Sequence, residues 1–119
     1  MSVLVVDGAN VVGSRPDGWW RDRPGAARRL HDALAAADLV HDEVVLVLEG
    51  AARRGVEAGR SGRLRVLHAP GSGDDAIVAA VTERSGTAEV VVVTADRGLR
   101  ARVTALGAEV RGPTSVPRA

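Results

Sequence analysis

Apolar residues along this chain are concentrated in short valine-rich runs that lack polar alternation. Three such runs cover residues 2–7, 43–49 and 89–94. Uninterrupted apolar runs of this length are typical of strands that are buried on both faces of a parallel sheet. A more polar run, Leu64–His68, predicts a shorter and more exposed strand, and Glu109–Arg111 predicts a final strand at the edge. Together these runs predict a mainly parallel sheet.

Between the strands, apolar residues recur at helical spacing. A first helix is predicted to begin near Pro24, a residue type that suits the first helical turn. A second is predicted after Ser72, which resembles a capping box with Asp75 three positions later. A third is predicted after Asp96, because aspartate caps helix N-termini. Alternating strands and helices predict a three-layer α/β/α sandwich, and the length suits one domain over residues 1–119.

Two segments have no clear period. Residues 14–23 contain both tryptophans and predict a loop. Residues 51–62 are rich in glycine and arginine, and we expect this segment to be mobile. Directly after the first strand, the local explanation of Asp7 is a turn entering a loop, in which Gly8 would allow a sharp bend and Asn10 would tie the backbone by hydrogen bonds.

The composition excludes several kinds of chemistry. The chain has no cysteine, so it has neither disulfides nor thiolate metal sites, and a reducing cytoplasm is its expected location. All 16 cationic residues are arginine, which excludes P-loop and Schiff-base mechanisms that need a lysine. No run is long enough to cross a bilayer and none resembles a signal peptide, so no membrane partner is expected.

Acidic residues follow the valine-rich runs. Asp7, Glu49 and Asp96 each come at or just after the end of a run, and Asp74 and Asp75 open the second helix. Each has a local explanation as a turn or a helix cap, but those explanations do not account for their common position. The carboxyl ends of parallel strands meet at one sheet edge, where ligands bind. Clustered carboxylates repel one another, and a hard divalent cation is the simplest counter-charge.

Three motifs resemble those of the NYN domain, a branch of the PIN-like nuclease superfamily. VVDGANVV at residues 5–12 is similar to the opening motif of that branch. GDDAIVAA at residues 73–80 resembles its paired-aspartate helix start and also the corresponding helix of PIN-domain toxins. VTADR at residues 93–97 is similar to the Thr-x-Asp motif that follows a late strand. The motifs occur in the expected order and span almost the whole chain.

The resemblance implies a PIN-like fold and a metal-dependent (endo)ribonuclease. Mg²⁺ or Mn²⁺ would be the cofactor, and hydrolysis would leave a 5′-phosphate and a 3′-hydroxyl. The implied catalytic residues are Asp7, Asp74, Asp75 and Asp96, all of them metal ligands, with Asn10 as a supporting polar residue. Related bacterial members usually carry Asp where this chain has Glu49, so a ligand role for Glu49 is left open.

The expected partner is single-stranded RNA. Arginine forks bind phosphate in a bidentate manner, and the candidates are Arg97 and Arg100 on the third helix and Arg53 and Arg54 on the glycine-rich segment. Trp19 could stack on an unpaired base. Each of these residues also has an explanation without RNA. The arginines could simply be solvated residues in an arginine-rich composition. The tryptophans could cover the core or form a contact in a homodimer.

Two other functions fit the same residues. The chain could be a non-catalytic RNA-binding or assembly module on a PIN-like fold, although an intact acidic set argues against a decayed site. It could also be a PIN-type toxin, with the same chemistry and an antitoxin as its protein partner.

Overall fold

The computed structural model describes residues 1–117, which form a six-stranded sheet covered by four helices. The strands are β1 (Ser2–Asp7), β2 (Glu43–Leu48), β3 (Gly59–Ser61), β4 (Leu64–His68), β5 (Glu89–Val93) and β6 (Glu109–Arg111). The helices are α1 (Gly8–Gly13), α2 (Arg23–Ala36), α3 (Gly73–Arg84) and α4 (Arg97–Thr104). Short 3-10 turns lie at Trp19–Arg21, Gly50–Gly55 and Pro113–Ser115. No helix in this part of the chain is long and apolar enough to cross a membrane.

The strand order is β3-β4-β2-β1-β5-β6, and only β3 runs antiparallel to its neighbour. From β1 the chain adds β2 and β4 on one side, and then returns to place β5 on the other side of β1. The order of the strands therefore reverses between β1 and β5. In open α/β sheets such a reversal leaves a crevice at the carboxyl ends of the strands.

Successive side chains of the central strands point to opposite faces of the sheet and build two aliphatic cores. One core lies between the sheet and helices α1 and α2, and contains Leu4, Val6, Leu30 and Leu46. The other lies between the sheet and helices α3 and α4, and is built from the following residues: Val3, Val5, Val45, Ile77, Leu99. The three-layer α/β/α sandwich expected from the sequence is confirmed.

The chain does not enter a loop after β1, because helix α1 begins there directly. Asp7 caps this helix by accepting a hydrogen bond from the backbone N–H of Asn10, at 3.3 Å. Gly8 is required for packing rather than for a turn, since a Cβ on it would lie 2.6 Å from the carbonyl oxygen of Val47. Such a contact with β2 backbone is too short for any other residue type.

The segment 51–62, expected to be mobile, is ordered secondary structure. It contains most of the 3-10 turn Gly50–Gly55 and all of β3, which pairs with β4 through a tight turn at Gly62. The backbone of Gly62 has φ +59°, a conformation that favours glycine. The strand escaped prediction because its residues are polar and exposed, so that no apolar pattern marks it.

Smaller differences occur where elements end. β2 and β5 stop one residue before the predicted limits of 43–49 and 89–94, because the chain leaves the sheet there. The tryptophan segment contains a 3-10 turn and is not entirely loop. Ser72 caps α3 through the N–H of Asp74 at 3.2 Å, but Asp75 does not complete a capping box.

Candidate functional site

Hydrogen bonds tie the end of β1 to the end of β5 across the reversal point. The hydroxyl of Thr94 donates to Oδ2 of Asp7 at 2.8 Å and accepts from the backbone N–H of Asp96 at 3.1 Å. Asp96 in turn caps α4, with its Oδ1 accepting from the N–H of Leu99 at 2.9 Å. A single buried hydroxyl therefore links the two aspartates that follow the central strands.

Asn10 forms a second link across the same gap. Its side-chain oxygen accepts a hydrogen bond from the backbone N–H of Ala95 at 2.9 Å, while its own backbone N–H donates to Asp7 Oδ1. Each oxygen of Asp7 thus accepts one hydrogen bond, and the residue is only 7% exposed. Asn10 and Thr94 fix the carboxylate of Asp7 in one orientation.

Glu49 reaches from the end of β2 to the start of α3. Its Oε2 accepts a short hydrogen bond from the backbone N–H of Gly73. A Cβ at residue 73 would lie 2.6 Å from that oxygen, so the close approach depends on glycine. Glu49 therefore lies against the N-terminus of α3, the helix that carries Asp74. The structure leaves its role as a metal ligand open.

The pKa shifts of two carboxylates have their causes in burial and in nearby charge. Burial raises the pKa of Asp7 against the lowering effect of its hydrogen bonds from Thr94 and Asn10, and the charges of Asp74 and Glu49 raise it further. Burial also raises the pKa of Asp74, as do the charges of Asp96, Glu49 and the adjacent Asp75, against the lowering effect of Arg102. Like charges that are held near one another disfavour ionisation in this way.

We call these four residues the acidic cluster: Asp7, Glu49, Asp74 and Asp96. Asp75, expected to be a ligand, points elsewhere: its side chain is 74% exposed and accepts from Arg102 at 3.1 Å. Adjacent residues on a helix point about 100° apart, so only one of a pair of aspartates faces the cluster. Within residues 1–117, no three acidic or histidine side chains converge closely enough to hold a metal ion as they stand.

The predicted arginines divide into two kinds. Arg53 is used within the fold, since its guanidinium donates to the carbonyl oxygens of Gly50 at 3.1 Å and Ala69 at 3.3 Å. The side chains of Arg54, Arg97 and Arg100 are exposed, and the described structure gives them no hydrogen bond or ion pair. Those three arginines are available to a partner from solution.

Thr94 is the residue that sequence reasoning passed over. The sequence marks it only as part of the VTADR motif, yet it is completely buried and donates a hydrogen bond to Asp7. The available signal was a single hydroxyl at the end of an all-valine strand, where burial requires a hydrogen-bonding partner.

Fold and site together define a three-layer α/β sandwich with a carboxylate cluster at the reversal point of its sheet. The fold is similar to that of Rae1 (YacP) from Bacillus subtilis, known from a crystal structure of a single-substitution mutant. The TM-score is 0.60 at 17% sequence identity, and the match covers 96% of this chain and 71% of that chain. No protein-family model matches the sequence, and no curated protein matches it.

Proposed function

We propose that this protein is a metal-dependent ribonuclease whose active site is the acidic cluster. The proposal is supported above all by the hydrogen-bond network that fixes Asp7 at the reversal point, with Asp74 and Glu49 close enough to raise its pKa. The three sequence motifs that resemble NYN and PIN-like nucleases contribute all of these residues except Glu49. The fold shared with Rae1 is compatible with this assignment.

The donor set fits a hard divalent cation. All four groups of the cluster are carboxylates, the ligand type that Mg²⁺ and Mn²⁺ prefer, and no thiolate or imidazole is among them. Mg²⁺ keeps several of its waters and needs only one or two direct carboxylates, so close convergence of three side chains is not a requirement. Asp7, Asp74 and Asp96 would hold the ion, and Glu49 would orient α3 and accept a metal-bound water.

The side chains of the acidic cluster would have different functions in the reaction. Asp7 is held by hydrogen bonds on both oxygens, which suits a fixed ligand. The carboxylate of Asp74 accepts no hydrogen bond within residues 1–117 and is partly exposed, so its oxygens remain open to the ion and to the water that the ion carries. A bound Mg²⁺ or Mn²⁺ would supply a more acidic water and positive charge to offset that of the phosphodiester. Cleavage would leave a 5′-phosphate and a 3′-hydroxyl.

RNA would be bound by the arginines whose side chains form no hydrogen bond or ion pair within residues 1–117. Arg97 and Arg100 lie on α4, whose N-terminus is capped by Asp96 of the acidic cluster. Arg54 lies on the 3-10 turn that follows Glu49. Phosphate contacts of this kind make binding salt-dependent, because each releases counterions from the nucleic acid.

A non-catalytic RNA-binding module is the second candidate. It is favoured by one observation, namely that no three acidic side chains in the described chain converge on a single point. A PIN-type toxin acting with an antitoxin would share the proposed chemistry and differ only in its control.

The deciding experiment is cleavage of single-stranded RNA in Mg²⁺, Mn²⁺ or EDTA by the wild-type protein and by Asp7→Asn. We expect cleavage with either cation, none in EDTA and none by the variant, which should still bind RNA. Salt-sensitive binding of RNA by the wild type, without cleavage in either cation, would establish the binding module instead.

A further inference from the structure

A pocket of about 390 Å³ opens beside the acidic cluster. Its walls are formed by α1, the 3-10 turn of the tryptophans and the end of β2, and Glu49 is shared between the pocket and the cluster. The lining is mainly apolar, and its principal side chains are Val12, Leu48, Ala52 and Trp19. The volume lies near the lower end of about 300–1,000 Å³ that is usual for small-ligand sites.

One cation also lines this pocket. The guanidinium of Arg23 lies over the ring of Trp19, 5.3 Å from the ring centroid. Arg23 is exposed, and within residues 1–117 its side chain forms no hydrogen bond or ion pair. The lining of the pocket therefore combines an aromatic ring, apolar walls, one positive charge and Glu49, a carboxylate of the cluster.

We propose that this pocket binds one unpaired nucleobase of the RNA, next to the phosphate that is positioned at the acidic cluster. The base would stack on Trp19, and Arg23 would contact the phosphate joined to that nucleotide. This assignment rests on the proposed function, and it adds how the strand is held and why it must be single-stranded.

The observations favour a base over other occupants. A flat ring with an apolar environment and a nearby cation matches a nucleotide, which combines an aromatic face with a negative charge. Every base has such a face, so stacking on Trp19 would not select a sequence. A base within a duplex is stacked and paired, and only a base that is splayed out of a single strand can enter a pocket.

A neighbouring pair of the same chemistry lies outside the pocket. Trp20 is 56% exposed and touches Trp19 edge to face, with ring centroids 5.9 Å apart. The guanidinium of Arg21 lies 5.8 Å from the centroid of the Trp20 ring. Neither Trp20 nor Arg21 lines the pocket. The chain thus supplies a matched control one or two residues away from each proposed contact.

The test uses tryptophan fluorescence, because the protein has two tryptophans and no tyrosine. Trp20→Phe leaves Trp19 as the only strong fluorophore, and Trp19→Phe leaves Trp20. Each variant is titrated in EDTA with a mixed-sequence single-stranded oligoribonucleotide and with the corresponding duplex. We expect saturable quenching of Trp19 by the single strand alone, and an unchanged Trp20 signal.

Binding constants give the second arm of the test. Trp19→Ala should raise the Kd for the single strand roughly 5- to 150-fold, the range expected for one lost base stack, whereas Trp20→Ala should leave it within about twofold. Arg23→Gln should weaken binding more than Arg21→Gln. Thermal melting shows whether each variant is folded, and Trp19→Phe, which keeps an aromatic ring, should retain binding if Trp19→Ala does not fold.

Several outcomes would overturn the pocket assignment. These are equal losses in the Trp19 and Trp20 variants, quenching of Trp19 by duplex, or a Trp19 signal that follows protein concentration alone and so reports a dimer contact. Cleavage of RNA without any change in Trp19 fluorescence would contradict the pocket assignment and support the proposed nuclease. Quenching of Trp19 without cleavage in Mg²⁺ or Mn²⁺ would remove the nuclease and leave the pocket.

Discussion

Asp7 combines a fixed geometry with an unfavourable charge. Its two oxygens accept hydrogen bonds from Thr94 and Asn10, which hold the carboxylate in place. Burial and the neighbouring carboxylates nevertheless raise its pKa, so the ionised form is costly in the fold. A cation that binds beside Asp7 lowers that cost, because it replaces repulsion by attraction.

The hydroxyl of Thr94 should contribute both to the stability of the fold and to metal binding. Thr94→Val keeps the shape but removes the donor to Asp7 and the acceptor for the N–H of Asp96. We expect a loss of about 1–3 kcal/mol in the free energy of unfolding and metal affinity lowered about 10- to 100-fold. Denaturant unfolding and calorimetric titration with Mn²⁺ measure the two effects.

Thr82→Val is the control, since the hydroxyl of Thr82 donates a hydrogen bond only within α3. Similar losses in both variants would contradict the role of Thr94.

The adjacent aspartates of α3 should differ sharply in function. Asp74 belongs to the acidic cluster, whereas Asp75 is mostly exposed and paired with Arg102. We expect Asp74→Asn to lower kcat for RNA cleavage by about 100-fold or more, on the scale of removing one group that stabilises the transition state. Asp75→Asn should change kcat by less than about fivefold, because an exposed ion pair contributes little. Equal losses would place Asp75 in the site after all.

At the scale of elements, α3 is attached to the sheet at both ends. Its N-terminus is held by Glu49, and near its C-terminus Arg84 donates to Glu43 at the start of β2, with Nε 2.8 Å from Oε1. Glu43 is 8% exposed, and Arg65 lies on its other side at 3.5 Å. The second attachment fixes the helix that presents Asp74 to the cluster.

The Glu43–Arg84 pair should make stability depend on pH. The hydrogen bond from Arg84 holds the pKa of Glu43 below its ordinary range, so the folded state favours the ionised form. Its contribution to stability is then present above about pH 4.5 and is lost as the pH falls through the lowered pKa. Glu43→Gln should reduce the free energy of unfolding by about 1.5–3 kcal/mol at pH 7 and less near pH 3.

Denaturant unfolding of Glu43→Gln and the wild type across this pH range provides the measurement. Glu109→Gln is the control, because its pair with Arg111 is half exposed and should contribute no more than about 1 kcal/mol. A constant difference between Glu43→Gln and the wild type at all pH values would show that the carboxylate charge is not what stabilises α3.

Elements with strong apolar patterns could be predicted from the sequence, and the others could not. The valine runs located β1, and the apolar spacing located α3, because burial on the sheet dictates those residues. β3 is polar and exposed, and it exists only because β4 offers an edge to pair with. α1 has six residues, too few to be stable alone, and it depends on the cap by Asp7 and on packing against β2.

The candidate site shows the same division. That Asp7 and Asp96 would approach each other followed from the geometry of parallel strands. That Asp75 would turn away did not, because its direction depends on how α3 rotates against α4 and on the position of Arg102. Thr94 and Glu49 depend on tertiary contacts that no local pattern encodes.

For the whole molecule, the reversal of strand order explains why the site lies where it does. β1 and β5 are neighbours in the sheet but lie at distant points of the sequence, and the helices that follow them lie on opposite faces. The crevice between them is therefore not filled by a connection of the chain. Hydrogen bonds of Thr94 and Asn10 join the ends of β1 and β5 at this point and hold Asp7 between them.

The central claim, that the acidic cluster binds a divalent cation, is tested most directly by metal-dependent thermal stability, which requires no knowledge of the RNA. The wild type should gain about 2.7 kcal/mol when Mn²⁺ or Mg²⁺ is present at 100 times its Kd, or several degrees in Tm. Asp7→Asn/Asp96→Asn should fold, since asparagine also caps helices. We expect no response of this variant to either cation, whereas a shift equal to that of the wild type would contradict the account.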